Sequence, residues 1–360
     1  MRKIFILGGS DLQLDLILEA KKMFFYTVVL DMNRDCIGSK WCDEFLKINI
    51  VDKEEVLKKA REYKIDVILT SATEQGNVTA CWVGEQLGLN TNTYETALNT
   101  TNKKRMKELL FKNNIRTAFY EIIKKNDTIN FDSSAYVVKP YDSSAGRGLS
   151  YIDNKEDLSV AIKKALSYSN KNEVIVEEYI EGKQYSIETL SCNFTHQIIA
   201  INEEFIREIP NIIETKHIIP AKCDKEIIKK IGNIVHKVLN LFNITFGACH
   251  IELKIKDNEV YIIELASRTG GMRSEMIMLA YGINYSQGLL TEIKLSRNNI
   301  VQCNFIIDYN SYLDYLEYKS NPMYTIFQPI RIEKVQKDFI ANNLAESKGY
   351  YYLLRGNIHD

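Results

Sequence analysis

The chain is short of several things, and each shortage excludes something. It has five prolines in 360 residues and no low-complexity tract, so composition marks no boundary between domains. Its seven cysteines, Cys36, Cys42, Cys81, Cys192, Cys223, Cys249 and Cys303, include no CxxC or CxxH spacing. An odd, unpatterned set argues for a reducing compartment and against a structural zinc. No apolar run approaches membrane length, and the apolar residues before Gly8–Gly9 are too few for a signal segment. The net charge of −1 gives neither sign an excess, so bulk charge points to no nucleic acid and no membrane surface. These absences lead us to expect a cytoplasmic protein with roughly two or three domains and ample length for a packed core.

A dinucleotide fingerprint is also missing. Lys3–Leu7 reads as a buried strand, Gly8–Gly9–Ser10 as a turn, Asp11–Lys22 as a helix and Thr27–Leu30 as the next strand. Asp31 then lies about 20 residues beyond the glycines, where a ribose-binding acid would stand. Yet Ser10, Asp11, Leu12 and Gln13 follow Gly9 without a third glycine, so a nicotinamide-dependent dehydrogenase is an outsider. Helix Lys53–Tyr63, strand Asp66–Thr70 and helix Asn77–Leu87 extend an open parallel sheet. Further on, Asn102–Asn113 reads as a helix with an apolar stripe at Met106, Leu109 and Leu110. Strands Tyr136–Lys139, Val174–Ile180 and Gln184–Leu190 follow, with helices Asp157–Tyr168 and Lys225–Leu241 between and after them.

What is present centres on Cys249–Gly271, CHIELKIKDNEVYIIELASRTGG. Two alternating runs flank Asp257–Asn258–Glu259 and read as a β-hairpin. With those three residues as the loop, Lys256 pairs with Val260 and Glu252 falls opposite Glu264. Ile251, Leu253 and Ile255 then face the core with Tyr261, Ile263 and Leu265. Facing carboxylates have Cβ atoms about 5 Å apart and repel. A hard divalent cation held by one or two carboxylates and phosphate oxygens would relieve them. Taken alone, the same face equally suits a solvated hairpin that Lys254 partly neutralises. Arg268 follows four residues after Glu264, a planar fork suited to a phosphoryl group, and Gly270–Gly271 allow close backbone approach. Lys139 ends its strand before Pro140 and the small-residue loop Tyr141–Gly148, which can form an anion nest.

The ordered set of Lys103, VVKP with Lys139, the glycine–serine loop, VEEYIEG and HIE…IIELASR resembles the ATP-grasp superfamily over residues 1 to about 295. It is similar to members that join a carboxylate to an amine, and also to biotin carboxylase and carbamoyl-phosphate synthase. The resemblance implies an α/β chain: a Rossmann-like domain at 1–95, a lid subdomain at 96–180 and a catalytic subdomain at 181–300. Residues 301–360 would form an extension without an assigned role. ATP is the implied cofactor, with Mg²⁺, or Mn²⁺ in its place. Lys103 and Lys139 would contact phosphates under a closing loop, Ser143, Ser144, Gly146 and Gly148. Glu177, Glu178 and Ile180 would form the adenine hinge, Glu177 and Ile180 through backbone groups. Gln184 stands where many members carry an acid for the ribose. Glu252 and Glu264 would hold the metal, and Arg268 would stabilise the phosphoryl group or acyl phosphate. Ala266 replaces an asparagine that serves as a further metal ligand in many members.

The implied activity is an ATP-dependent ligase that phosphorylates a carboxylate and couples it to an amine, releasing ADP and phosphate. Small-molecule acids and amines are the implied partners, and a homodimer is left open. The RTGG segment resembles amino-acid and dipeptide ligases more than biotin carboxylase. His217, His250, Gly270 and Gly271 are candidates for the substrate side. A carboxylase acting through carboxyphosphate and a non-catalytic ATP-binding module are the alternatives.

Overall fold

The first strands carry continuous apolar runs, and they are buried on both faces. In the computed structural model, which describes residues 1–124, 127–140, 146–169, 172–207, 212–291, 299–321, 325–328 and 332–357, they form a parallel sheet. Its strands β1 (Lys3–Leu7), β2 (Tyr26–Asp31), β3 (Glu44–Lys47) and β4 (Val67–Leu69) are ordered β3-β2-β1-β4. Helices α1 (Asp11–Lys22), α2 (Lys53–Tyr63) and α3 (Glu74–Leu87) accompany them. Ile4 and Ile6 pack with Leu16 and Ile17 on one side, and Phe5 and Leu7 with Val56 and Leu57 on the other, the arrangement that parallel sheets require. Asp31 accepts the Gly9 N–H at 2.8 Å, so the acid suited to a ribose is engaged by the turn. Helix α3 starts a turn earlier than its apolar pattern indicates, because Thr73 caps it. That extra turn brings Glu74 into the fold.

Helices α4 (Tyr94–Thr101) and α5 (Lys103–Lys112) meet at Asn102, whose side chain accepts the Arg105 N–H at 3.1 Å and caps α5. Strands β5 (Tyr120–Lys124), β6 (Tyr136–Pro140), β7 (Ser150–Ile152) and β8 (Glu173–Glu178) then form an antiparallel sheet ordered β5-β8-β6-β7. Helix α6 (Leu158–Leu166) covers it through Leu158, Ala161 and Ala165.

The remaining strands build one antiparallel sheet. They are β9 (Lys183–Cys192), β10 (Thr195–Arg207), β11 (Ile213–Ile219), β12 (Phe246–Lys256), β13 (Glu259–Ala266), β14 (Asn299–Phe305), β15 (Thr325–Phe327) and β16 (Tyr350–Asn357). Their order is β13-β12-β9-β10-β11-β14-β16-β15. Helix α7 (Lys225–Leu241) lays Ile231, Val235, Val238 and Leu239 on Tyr185, Ile187, Cys249, Ile251 and Leu253. Each fully buried aliphatic side chain contributes roughly 1.5–3 kcal/mol, so this face fixes the register of the central strands. Helices α8 (Arg273–Tyr281) and α9 (Tyr285–Gly288) follow the Gly270–Gly271 loop, and α10 (Tyr309–Ser320) buries Tyr315 near β16. The residues beyond 299 thus extend the same sheet.

The hairpin turns differently from the expected three-residue loop. Lys256 pairs with Glu259 across Asp257–Asn258, both at positive φ (51° and 63°), as a two-residue primed turn demands. A bulge between Glu252 and Leu253 then shifts the register by one. The predicted partnership of Glu252 with Glu264 results from that compensation. The bulge also changes the faces. Val260 and Ile262 enter the core with Leu265, whereas Ile263 turns to the cavity on the other side.

Candidate active site

The face of the large sheet opposite α7 is a grid of polar side chains, because residues directly across from one another share a face. One row runs Glu264, Glu252, Ser186, Asn202, the next Ala266, His250, Glu188, Ala200, and a third Lys254, Gln184, Glu204, His217. These rows floor a cavity of about 410 Å³, whose other walls come from β6, β8, α5 and the loop after β13.

At one end Glu177 is enclosed between two lysines. Its carboxylate lies 2.8 Å from Lys139 Nζ and 3.1 Å from Lys107 Nζ. Lys107 also donates to Thr117 Oγ1 at 2.7 Å. Burial pushes both ammonium groups down, but the outcome differs. Lys139 ends above its ordinary range because Glu177, Glu264 and Glu252 all act on it. Lys107 ends below, because burial outweighs Glu177 and Lys139 repels it. Glu177 pairs on both sides of its strand, with Tyr120 and Val137. Its backbone therefore belongs to the sheet rather than to a base, a correction to the expected hinge role. Glu178 and Tyr179 give their N–H groups to Phe119 and Ala135, each at 2.9 Å, while Glu178 and Ile180 line the cavity.

Lys103, the first residue of α5, reaches Glu264 at 3.3 Å. Burial would raise the Glu264 carboxyl, but Lys103, Lys139 and Arg268 outweigh it and bring it to about 2. The repulsion expected between the facing glutamates is thus already relieved by the chain itself. His250 does the same for Glu252, with Nε2 at 3.2 Å from Oε1 and Nδ1 at 2.5 Å from Glu188 Oε1. Burial alone would discharge this imidazole, yet Glu188 and Glu252 raise it to about 10.

Arg268 is held by a carboxylate that the sequence did not bring to notice. Its Nε donates to Glu74 Oε1 at 3.2 Å, its Nη2 to the same atom, and its Nη1 to the Thr269 carbonyl at 3.0 Å. The loop is pinned on both sides of it: Asn77 donates to Ser267 Oγ at 2.8 Å, and Thr269 Oγ1 accepts the Ala72 N–H at 3.1 Å. Gly270 is required sterically, since a Cβ there would stand 2.5 Å from Glu188 Oε1 and 2.7 Å from His250 Nδ1. A Cβ on Gly271 would meet nothing within 4 Å.

The opposite end is built around Arg273, which is 2% exposed. Its guanidinium donates to His217 Nδ1 at 2.6 Å, Glu204 Oε1 at 2.6 Å and Ser186 Oγ at 3.1 Å. Glu204 also accepts Gln184 Nε2 at 2.8 Å. Glu204, Glu214 and His217 have the spacing of a metal-ligand group, but the guanidinium occupies it.

The cavity therefore gathers Lys103, Lys139, Glu178, Ile180, Gln184, His217, His250, Glu252, Glu264, Arg268, Gly271 and Gly146. Gly148 packs instead against Pro140 and Tyr168, and Ser143 and Ser144 lie outside the described residues. Lys107, Glu74, Glu188, Glu204, Glu214 and Arg273 were missed. Two signals existed: Lys107 interrupts the apolar stripe of α5, and Gln184, Ser186 and Glu188 alternate with Tyr185 and Ile187. Among the described residues no helix is long and apolar enough to cross a membrane.

Residues 133–276 match the family described as ATP-grasp domain. A formate-dependent phosphoribosylglycinamide formyltransferase of Prochlorococcus marinus is 26% identical over 279 residues, covering 74% of this chain and 70% of that protein. Two solved structures share the fold at lower identity. The L-amino acid ligase of Bacillus licheniformis superposes with a TM-score of 0.77 at 19% identity, covering 99% and 93% of the two chains. The N5-carboxyaminoimidazole synthetase of Staphylococcus aureus, complexed with ADP, superposes with a TM-score of 0.76 at 19% identity, covering 99% and 94%.

Proposed function

The chain belongs to the ATP-grasp superfamily, and from that premise we propose that it is an ATP-dependent ligase joining a carboxylic acid to an amine. The observation that carries this reading is the pairing of Glu252 with Glu264 on the cavity face, with Lys103, Lys139 and Arg268 around them. Two paired carboxylates with no third ligand at Ala266 fit Mg²⁺, which completes its shell with phosphate oxygens and water. The relatives support the substrate classes by name: one depends on formate, and another is an amino-acid ligase.

A carboxylate is a poor electrophile, so an amine attacks it only after a better leaving group is attached. The acid's oxygen takes the γ-phosphoryl group and ADP departs. The amine nitrogen then attacks the acyl carbon, the C–O bond to phosphate breaks, and phosphate leaves. Phosphoryl transfer asks the protein mainly for alignment and charge compensation. Lys103 and Lys139 bind phosphate oxygens, and Arg268, with its orientation set by Glu74, stabilises the transferring group. Bound Mg²⁺ would add charge neutralisation along the phosphates. Glu177 keeps Lys139 charged and aimed. A screen of pooled acids against pooled amines, reading phosphate release and product mass, tests the proposal. Absence of acid-dependent ADP formation across the panel would overturn it.

A further inference from the structure

We propose that Glu188 is a positioning residue that sets the carboxylate of Glu252 and the loop carrying Arg268 from a single point, through His250 on one side and Gly270 on the other. The inference rests on the ligase reading above and assigns a residue that this reading leaves unused.

Glu188 stands on β9 and is 0% exposed. A carboxylate at that depth is costly unless its oxygens are engaged. Its two oxygens serve different elements. Oε1 lies 2.5 Å from His250 Nδ1 on β12, with Arg273 Nε further off at 3.5 Å. Oε2 accepts the Gly270 N–H at 3.2 Å. The Tyr285 hydroxyl stands 3.3 Å from Oε2 but 2.9 Å from the Thr189 carbonyl, and its single proton favours the shorter contact. The loop is thus tied to Glu188 mainly by the Gly270 amide.

Each tie leads on to a group of the hairpin end. A carboxylate only accepts, so the two ring nitrogens of His250, which face Glu188 and Glu252, must both donate. Nε2 engages Glu252 Oε1 at 3.2 Å, and among the described residues the Glu252 side chain has no other hydrogen bond or ion pair. His250 therefore sets Glu252, and Glu188 sets His250. On the second branch Gly270 lies two residues beyond Arg268, and a Cβ there would stand 2.5 Å from Glu188 Oε1. The loop closes onto the carboxylate at a distance that only glycine permits. Outer partners of this kind orient the groups that bind a metal. Here one buried carboxylate orients both Glu252 and the loop of Arg268, two groups that the ligase reading brings to the same triphosphate.

Cation binding is measured without turnover. The full-length protein with ADP is titrated with Mn²⁺, and free Mn²⁺ is read by electron paramagnetic resonance. Glu188→Gln cannot receive both donors, because an amide offers only one accepting oxygen. It should weaken Mn²⁺ binding by about tenfold to hundredfold, the range of an outer partner. Glu188→Asp keeps the charge but is one methylene shorter and cannot span both branches, so the loss should persist. His250→Asn keeps a donor toward Glu188 but stops short of Glu252, and should weaken Mn²⁺ as Glu188→Gln does. The two residues act in series, so the double variant should match the weaker single variant to within about twofold, the scatter of additivity. At saturating Mg²⁺, ADP formation should fall further in Glu188→Gln than in His250→Asn, since only the former also releases Gly270. Thermal melting establishes that each variant is folded, and Glu188→Asp with His250→Asn carries the comparison if the glutamine does not fold. Wild-type Mn²⁺ affinity in a folded Glu188 variant would overturn the inference, as would full rescue by aspartate or losses that multiply in the double variant. A wild-type protein that binds Mn²⁺ with ADP but turns over no acid would remove the ligase reading, while the titration still decides the role of Glu188. A wild-type protein that binds no Mn²⁺ with ADP would remove the metal assignment and this inference together.

Discussion

Two carboxylates line the same cavity and are treated in opposite ways. Glu264, at the hairpin end, is surrounded by Lys103, Lys139 and Arg268 and drops to about 2. Glu214, at the β10–β11 end, is raised by burial, with the His217 imidazole 2.8 Å away. The hairpin end is electrostatically complete before any ligand arrives: Glu74 and Glu177 are also held below the ordinary carboxylate range against their burial, by Arg268 and by Lys107 and Lys139. The contrast separates an end whose carboxylates are neutralised by lysines and an arginine from an end where burial is the stronger influence.

The strongest way to break this comparison is Glu264→Gln. ADP formation should fall by at least two orders of magnitude, since the change removes half of the facing carboxylate pair. Stability should fall too, without any metal present. The group is depressed in the folded state, so its contribution is present above the unfolded value near 4.3 and is lost as pH falls toward about 2. Wild-type melting temperature should therefore decline through that window more steeply than that of the variant. Equal melting of the two proteins at neutral pH in chelator would show that Glu264 is not held by its lysines. Electrostatic repulsion across the hairpin, considered alone, predicts the reverse, that the glutamine would stabilise. The sign is reversed by Lys103, which reaches Glu264 from a helix 161 residues away in sequence.

Arg268→Lys should come next. It keeps the charge but loses the fork that grips Glu74, and turnover should drop by at least tenfold. Near-normal turnover would place Arg268 outside the reaction. Glu74→Gln tests the support beneath it. The amide still accepts a hydrogen bond, so we expect a loss of only about threefold to tenfold, with Mg²⁺–ADP stabilisation preserved. A loss as deep as that of Arg268→Lys would give Glu74 a direct part in the chemistry.

What was legible in advance follows the same division. Lys103, Lys139, Glu252, Glu264 and Arg268 lie in local patterns: a helix start, a strand end, a hairpin and the loop after it. Helices such as Lys53–Tyr63 and Lys225–Leu241 have the bounds their apolar periodicity indicates. Glu204, Glu214 and Arg273 lie in no such pattern, and Glu188 shows only as a polar position of an alternating strand. They meet only because β9, β10 and β11 pair in one register and α8 delivers a guanidinium onto them. Glu74 was hidden by a helix boundary one turn early. The hairpin carries a subtler lesson, since two deviations, a shorter turn and a bulge, cancelled at Glu252 and Glu264 but not at Ile263.

The smallest effect is expected at the boundary between the two ends, at Ala266. An asparagine there would add a metal ligand if the site were open. In this fold Ala266 is 3% exposed and directly opposite His250, with Cβ atoms about 5 Å apart in such a pair. His250 is fixed by Glu188 on one side and Glu252 on the other, so turning away would break its contacts to both carboxylates. It is also positively charged, which disfavours a second cation beside it. Ala266→Asn should therefore leave the Mg²⁺ concentration for half-maximal ADP formation within about twofold of wild type. The extra volume should cost about 1–3 kcal/mol of stability. A Mg²⁺ titration at saturating ATP and acid, paired with thermal melting, reads both quantities. A marked shift to lower Mg²⁺ would mean that His250 yields its place, and that its contacts with Glu188 and Glu252 do not hold it there.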